Sequence, residues 1–364
     1  CLPSMSPVPK EGVVAVTGAA GFIAGWTVKL LLDKGYRVRA CVRDANDATK
    51  CDFLKAMPGY VSGRLTLHSA DLNKDGCFDE VFKGCHGVLH VSHVSDYSDE
   101  AYVKRVCDHI IASVDKSRSV TRVVVTSSVA AIMDELDIRE LSRRPVLYED
   151  RYPDEQNPGR NFKNQGYANS KIYAQRSFAD AAEKSGKWDA ITICPADNVG
   201  PILSRHQKNA GPWQHLIEMM LRGKTLDTRW GPGLGAYRPW NIVDVRDDAE
   251  CHIRLLESVQ VKNGERYLAW STERFTPEDT CARIDDLLPE LGFVPAPVIV
   301  DYPESSKKHE AFFKRLWRGI DPRNDRMRAV TGITFRPYEE SLRDCVESLL
   351  VVAKVKPSVK TESA

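Results

Sequence analysis

The feature that most constrains this chain is Gly18-x-x-Gly21-x-x-Ala24, because of what flanks it. Val13-Val14-Ala15-Val16-Thr17 precedes it, an apolar β-branched run suited to a strand buried on both faces. After it Phe22, Ile23, Trp26, Leu30 and Leu31 recur at helical spacing, and Gly35 supplies a stop. A glycine turn joining a buried strand to a helix lets backbone N–H groups approach a diphosphate at the positive helix end. The first glycine permits the tight turn, the second the close approach, and Ala24 packs helix on strand. The pattern therefore predicts a dinucleotide site with contacts from Gly18, Ala20, Gly21, Phe22 and Ile23. A tight turn that binds nothing is the plainer alternative, and the strand, helix and second strand around the loop argue against it.

Further strands are expected at Arg37–Arg43, Leu65–His68, Gly87–Val91, Val123–Thr126 and Ala190–Cys194. A short helix is expected over Phe78–Lys83 and a long one from about Tyr167 to Lys184. Strands alternating with helices imply right-handed crossovers and a Rossmann-type, doubly wound parallel sheet, an α/β fold. From Ile202 the pattern loosens, Gly and Pro cluster in Arg229–Pro239, and a smaller mixed α/β lobe is expected. Its last helix presents Leu342, Cys345, Val346, Leu349, Leu350 and Ala353 on one face. The expected organisation is a nucleotide-binding domain with the catalytic residues (1–201) and a mainly substrate-binding lobe (202–354). Some segments of that lobe return to the first domain, and a flexible tail (355–364) follows.

Composition narrows the function. With 51 basic against 50 acidic residues and a net charge of +1, the chain is no electrostatic binder of nucleic acid or membrane surfaces. No apolar run reaches the ~18–20 residues of a membrane helix. The first twelve residues carry Pro at 3, 7 and 9 without an apolar core, so no secretory signal is expected, and Met5 would make a natural start. Ten cysteines without C-x-x-C spacing read as free thiols, which points to a cytoplasmic protein.

The second strand ends at Val42-Arg43, with Lys50 seven residues on. An acidic residue there suits the ribose hydroxyls of NAD, whereas arginine suits the 2′-phosphate of NADP. Arg43 and Lys50 favour NADP(H); Asp44 opposes it, and a solvated Arg and Lys is the alternative reading.

Ser128 ends the fifth strand, and Tyr167-Ala168-Asn169-Ser170-Lys171 puts Tyr and Lys on one helical face. This suits hydride transfer to a carbonyl, where oxygen gains charge and needs a proton. A nearby ammonium is expected to lower the Tyr167 phenol towards working range, and Ser128 to steady the developing charge. Ser127 is the alternative for the hydroxyl role, since strand neighbours point to opposite faces.

Thr17–Trp26, Val38–Asp44, Ala70-Asp71-Leu72, Phe78-Asp79-Glu80, Lys83-Gly84-Cys85, Val125–Ser128 and Tyr167–Lys171 resemble plant dihydroflavonol and cinnamoyl-CoA reductases. These are extended short-chain dehydrogenase/reductases, as are related NADPH-dependent aldehyde and ketone reductases. The likeness runs from about Val13 to Pro201 and, more weakly, through Ile242–Ala249 to the final helix. It implies a Ser128–Tyr167–Lys171 triad and 2′-phosphate contacts from Arg43 and Lys50. It also implies adenine contacts from Asp71 and Leu72, with Val91, Pro195 and Val199 near the cofactor. The substrate would be a small carbonyl compound and the protein a monomer or homodimer. The chain departs from the plant enzymes at Asn164–Ser170 and at Val129–Met133, so neither plant specificity carries over. An Asn that many relatives use in a proton relay has no counterpart between Asn73 and Asn157.

Other signals weigh less. Cys85, His86, His90 and His93 suggest a metal site on paper, but His90 and His93 would face opposite sides and no metal is expected. His93 is instead a candidate pocket wall. Lys314, Arg315, Arg318, Arg323, Arg326 and Arg328 read as a solvated or ion-paired face, or as a site for a bulky anionic substrate. Trp213, Trp230, Tyr237 and Trp240 read as packing or as an aromatic pocket. Two rival functions remain: an NAD-dependent nucleotide-sugar epimerase or dehydratase using the same triad, and a non-catalytic, nucleotide-bound subunit.

Overall fold

The computed structural model describes residues 7–358 apart from 134, 154–156, 158, 210, 225, 228–236, 296–297 and 303. Cys1, Met5, Trp230, most of the Gly–Pro segment and the tail beyond 358 lie outside the described residues.

Seven strands form one parallel sheet: β1 (Val13–Thr17), β2 (Arg37–Val42), β3 (Leu65–Ser69), β4 (Gly87–His90), β5 (Arg122–Thr126), β6 (Asp189–Pro195) and, after two strands of a second sheet, β9 (Arg266–Ala269). Their order is β9-β6-β5-β4-β1-β2-β3, so the chain reverses direction across the sheet between β1 and β4. The carboxyl ends there open the crevice in which doubly wound sheets hold ligands. The doubly wound parallel fold expected from the strand pattern is the fold observed. Sequence periodicity does not mark β9, which rejoins the sheet after the smaller lobe.

Alternation of side chains divides the core into two faces. Val14, Val16 and Val124 pack with Leu31 and Leu255 on one face. Ala15, Val123 and Val125 pack with Ile110 and Phe178 on the other. The first face is covered by α1 (Phe22–Asp33), which lies against a later helix, α5 (Val245–Glu257). The second is covered by α2 (Glu100–Ser117) and α3 (Phe162–Ser185). Side chains cap these helices where the sequence turns into them: Asp99 accepts from Tyr102 N at 2.9 Å, and Asn161 from Asn164 N at 3.0 Å. The Asn161 cap begins α3 ahead of Tyr167, where the apolar pattern alone places its start.

The smaller lobe is mixed α/β, as expected. Its three-stranded sheet joins β7 (Asp197–Val199), β8 (Trp240–Asp244) and β10 (Arg274–Phe275). These pack with α4 (Pro212–Leu221), α6 (Pro277–Glu290) and α7 (Tyr338–Val351) around Ile217, Ile242, Ile284 and Leu342. Past α7, Val355 is buried and Ser358 N donates to Leu221 O at 2.9 Å, so the segment expected to be a tail begins with docked residues.

Candidate active site

The glycine loop is shaped for a phosphate. Gly18 has φ +66°, and a Cβ there would lie 2.9 Å from Cβ of Ser92, so both conformation and space require glycine. No side chain caps α1 and its first turn holds no acidic residue, leaving the N–H groups at its start without a counter-charge. Two side chains engage the loop's carbonyls. His206 Nε2 donates to Ala20 O at 2.8 Å, and Gln207 Nε2 donates to Gly21 O at 3.1 Å. Both lie on the turn Arg205–Asn209, far along the chain from the loop, where no local motif signals them. Phe22 and Ala24 are buried, Phe22 in the core of the smaller lobe.

A cavity of about 120 Å³ continues from the loop, lined by Gly18, Val42, Arg43, Asp71, Leu72 and Ser92. Arg43, Asp71 and Leu72 are thus brought together at the carboxyl ends of β2 and β3. The Asp44 carboxylate accepts from Asn46 N at 2.9 Å and is engaged in its own turn. Lys50 pairs with Asp47 at 3.5 Å and does not line this cavity. Val91 N donates to the Thr17 hydroxyl at 3.1 Å, which fixes the exit of β4. Pro195 ends β6, whereas Val199 is fully buried in the second lobe's core, leaving only its main chain to meet a cofactor. An uncapped helix start, a glycine cradle and a cavity carrying Arg43 fit a phosphorylated dinucleotide.

Ser128 follows β5 and accepts from Ala130 N at 3.2 Å, which leaves its proton for the Tyr167 hydroxyl. Ser127 points inward: it is 4% exposed and accepts from Gln175 Nε2 at 2.5 Å. Arg266 on β9 holds this turn from below, donating to Gln175 Oε1 at 3.3 Å, to Ala131 O at 3.2 Å and to Arg151 O. Of the two hydroxyls, Ser128 is therefore the one that meets Tyr167.

Lys171 is buried one turn after Tyr167; its Nζ lies 5.7 Å from the Tyr167 ring centroid and donates to Thr126 O at 3.0 Å. Burial pushes its ammonium down to about 8. Burial likewise raises the Tyr167 phenol, with the Ser128 hydrogen bond opposing and the Asp197 and Cys194 side chains adding to the rise. Tyr167 as a whole residue is 40% exposed. The expected lowering of the phenol is not the net result: desolvation outweighs it, and Tyr167 holds its proton.

Tyr97 closes one side of this group. Its ring meets Tyr167 edge-on at 5.0 Å and its hydroxyl lies 2.8 Å from His93 Nδ1. Gly166 allows that approach, since a Cβ there would strike the Tyr97 carbonyl, whose carbon would lie 2.7 Å away. His93 lines the cleft, while His90 is buried, stacked on Phe178 at 5.5 Å and bonded to Thr17 at 2.9 Å. Burial pushes His90 down to about 3. Cys85 and His86 are engaged with Val81 O and Val13 N. No group of three or more His, Cys, Asp or Glu among the described residues is arranged to hold a metal ion. In the basic run, Lys314 pairs with Glu310, Arg323 with Asp321 and Arg326 with Asp150. Trp213 and Trp240 pack on each other at 4.6 Å in the second core, and Tyr237 stacks on Tyr302 at 4.1 Å.

Compared with known proteins, residues 14–269 match the NAD dependent epimerase/dehydratase family. The chain belongs to this family. Within it, the chain is an extended short-chain dehydrogenase/reductase, and the resemblance read from its motifs extends over nearly all of its length. This family member is 30% identical over 360 residues to the cinnamoyl-CoA reductase CAD2 of Medicago truncatula, covering 95% of this chain and 98% of the relative. It is 31% identical over 263 residues to a dihydroflavonol 4-reductase of Callistephus chinensis, 70% of this chain and 67% of that one. The structure of yeast methylglyoxal/isovaleraldehyde reductase Gre2 complexed with NADPH superposes with a TM-score of 0.71 at 23% identity, covering 93% and 98%. UDP-glucose 4-epimerase of Thermotoga maritima superposes with a TM-score of 0.64 at 15% identity, covering 93% and 98%. At these identities the two structures speak for the fold alone. No helix among the described residues is long and apolar enough to cross a membrane.

Proposed function

We propose that this short-chain dehydrogenase/reductase is an NADPH-dependent reductase of a ketone, aldehyde or acyl-thioester carbonyl in a small organic substrate. The observation that carries this reading is the meeting of Ser128, Tyr167 and Lys171 beside the crevice that also holds Arg43. Arg43 at the cavity's edge favours a 2′-phosphate, and the relative matched over almost the whole chain is named a reductase. Both support reduction over the sugar-nucleotide epimerase reading.

When bound, the nicotinamide supplies a hydride to the carbonyl carbon. The chain's part is played at the carbonyl oxygen. Hydroxyls of Ser128 and Tyr167 converge there, fixing its position and meeting charge as it develops. Burial keeps Tyr167 protonated until then, and the phenol passes its proton to the forming alkoxide; with an acyl thioester the resulting hemithioacetal then breaks its C–S bond, releasing the thiol and leaving an aldehyde. The Lys171 ammonium, on the same helical face, stabilises the phenolate left behind. Arg43 would hold the 2′-phosphate by a charge-assisted fork, and the uncapped start of α1 would receive the diphosphate. The same reading takes the protein to be cytoplasmic and a monomer or homodimer, working without nucleic acid or membrane.

The test is NADPH consumption with aldehydes, ketones and acyl thioesters, in the wild type and in Tyr167→Phe. Turnover that the phenylalanine variant loses, while it still binds NADPH, supports the reading. Tight NADPH binding without turnover on any carbonyl would favour the non-catalytic subunit instead.

A further inference from the structure

The carbonyl that receives Lys171 belongs to Thr126, and the Thr126 side chain is itself held from the opposite face of the sheet. Its Oγ1 lies 2.8 Å from Nε2 of His252 on α5. The other ring nitrogen, Nδ1, lies 2.8 Å from the main-chain oxygen of Asp248 and 3.3 Å from its carboxylate. Two oxygens facing Nδ1 assign the ring proton to that nitrogen, so Nε2 accepts from the threonine hydroxyl. Asp248 and His252 are 0% exposed and one helical turn apart. Among the described residues the carboxylate finds no hydrogen-bond donor of good geometry and only the imidazole beside it.

A carboxylate in that position is expensive, and an apolar residue of similar volume would pack the helix as well or better. The connectivity Asp248–His252–Thr126 is that of a carboxylate–imidazole–hydroxyl triad, with its hydroxyl turned into the protein interior. It ends where β5 ends, at the residue whose carbonyl holds Lys171 and just ahead of Ser128.

We propose that Asp248 and His252 are positioning residues that lock Thr126, and through its carbonyl fix Lys171 beside Tyr167. Asp248 holds the ring in one tautomer, the ring holds the hydroxyl, and the tip of β5 is thereby clamped from the face opposite the reaction. The inference rests on the reductase reading, since it takes Lys171 and Ser128 as the groups being placed.

Thr126→Val keeps the branched shape and removes the hydroxyl; Thr126→Ser restores the hydroxyl; Asp248→Leu serves if the valine variant does not fold. The first readout needs no turnover: the pH dependence with which an amine-reactive reagent labels Lys171, followed by mass spectrometry of its peptide. The ionisable groups around that amine are His90 and His93 from the β4 exit, Cys107 from α2, Cys194 from β6 and Tyr167 on its own helix, and none of these is altered. Losing a well-aimed acceptor disfavours the ammonium, so the labelling midpoint falls by about half a pH unit or more in Thr126→Val and returns in Thr126→Ser. The second readout is kinetic: kcat falls roughly 5- to 10-fold in Thr126→Val while KM for NADPH stays within about 2-fold, because the interaction acts on the reacting group and not on binding. Midpoint and kcat both unchanged in a folded Thr126→Val or Asp248→Leu protein would overturn the proposal, whatever happens to thermal stability. A wild type that shows no turnover while the midpoint still shifts would instead overturn the reductase reading and leave the clamp standing.

Discussion

The ammonium of Lys171 lies 5.7 Å from the ring centroid of Tyr167, and burial holds it at about 8, well below an ordinary lysine. The phenol is shifted the other way: desolvation favours its neutral form. The proposed reduction needs Tyr167 protonated and Lys171 charged, and both conditions hold below about pH 8. We expect kcat/KM for carbonyl reduction to be level near pH 7 and to decline above about pH 8 as Lys171 loses its proton. Lys171→Arg removes that limb, because a guanidinium stays charged throughout. A wild-type profile level to about pH 10 would contradict the assignment.

The same burial fixes the sign of a stability effect. A lysine whose folded value is depressed destabilises the fold while it is charged in the unfolded chain. The penalty is full below about 8 and fades as pH rises towards the ordinary 10.5. Lys171→Met is therefore expected to raise unfolding free energy at neutral pH by roughly 3 kcal/mol, with most of the gain gone near the ordinary lysine value of about 10.4. Urea titrations at the two pH values check this.

Gly166 sits where Tyr97 crosses α3. Gly166→Ala drives a methyl group into the Tyr97 carbonyl and lifts that loop from the Tyr167 ring. The expected destabilisation is about 1–3 kcal/mol, accompanied by a fall in kcat. Gly319→Ala is the control, because a Cβ there meets nothing within 4 Å. Thermal unfolding and steady-state rates on the two variants separate a local clash at the site from the general effect of losing a glycine.

The proposed preference for NADPH rests on Arg43. Arg43→Ala is expected to weaken NADPH binding about 10- to 100-fold, the worth of a charge-assisted hydrogen bond, while NADH binding changes little. Titration by nicotinamide fluorescence measures both. Equal losses for the two cofactors would remove Arg43 from the 2′-phosphate.

Much of the fold and the site is legible along the chain, because it is local. The glycine loop, the Ser128 strand tip and the Tyr167–Lys171 pair each lie within one turn or one strand, where spacing alone sets geometry. The first six strands of the large sheet announce themselves as short apolar runs, most of them rich in β-branched residues. β9 does not: Arg-Tyr-Leu-Ala is short and opens on a charge, and Arg266 turns out to be buried under the Ser128 turn. The groups that hold the site in place come from far along the chain. His206 and Gln207 reach the glycine loop, and His252 reaches Thr126, through contacts that only the folded sheet creates. The ionisation of the Tyr167 phenol is hidden for a related reason: spacing places an ammonium near a ring but does not weigh desolvation against it.

The most direct test of the reductase reading is a turnover with NADPH deuterated at the transferring carbon, with and without Tyr167→Phe. Deuterium is expected on the carbon that carried the carbonyl, with a rate at least about 100-fold lower in the variant, the usual worth of a positioned general acid. Product formed without deuterium, or a phenylalanine variant that keeps the wild-type rate, would contradict it.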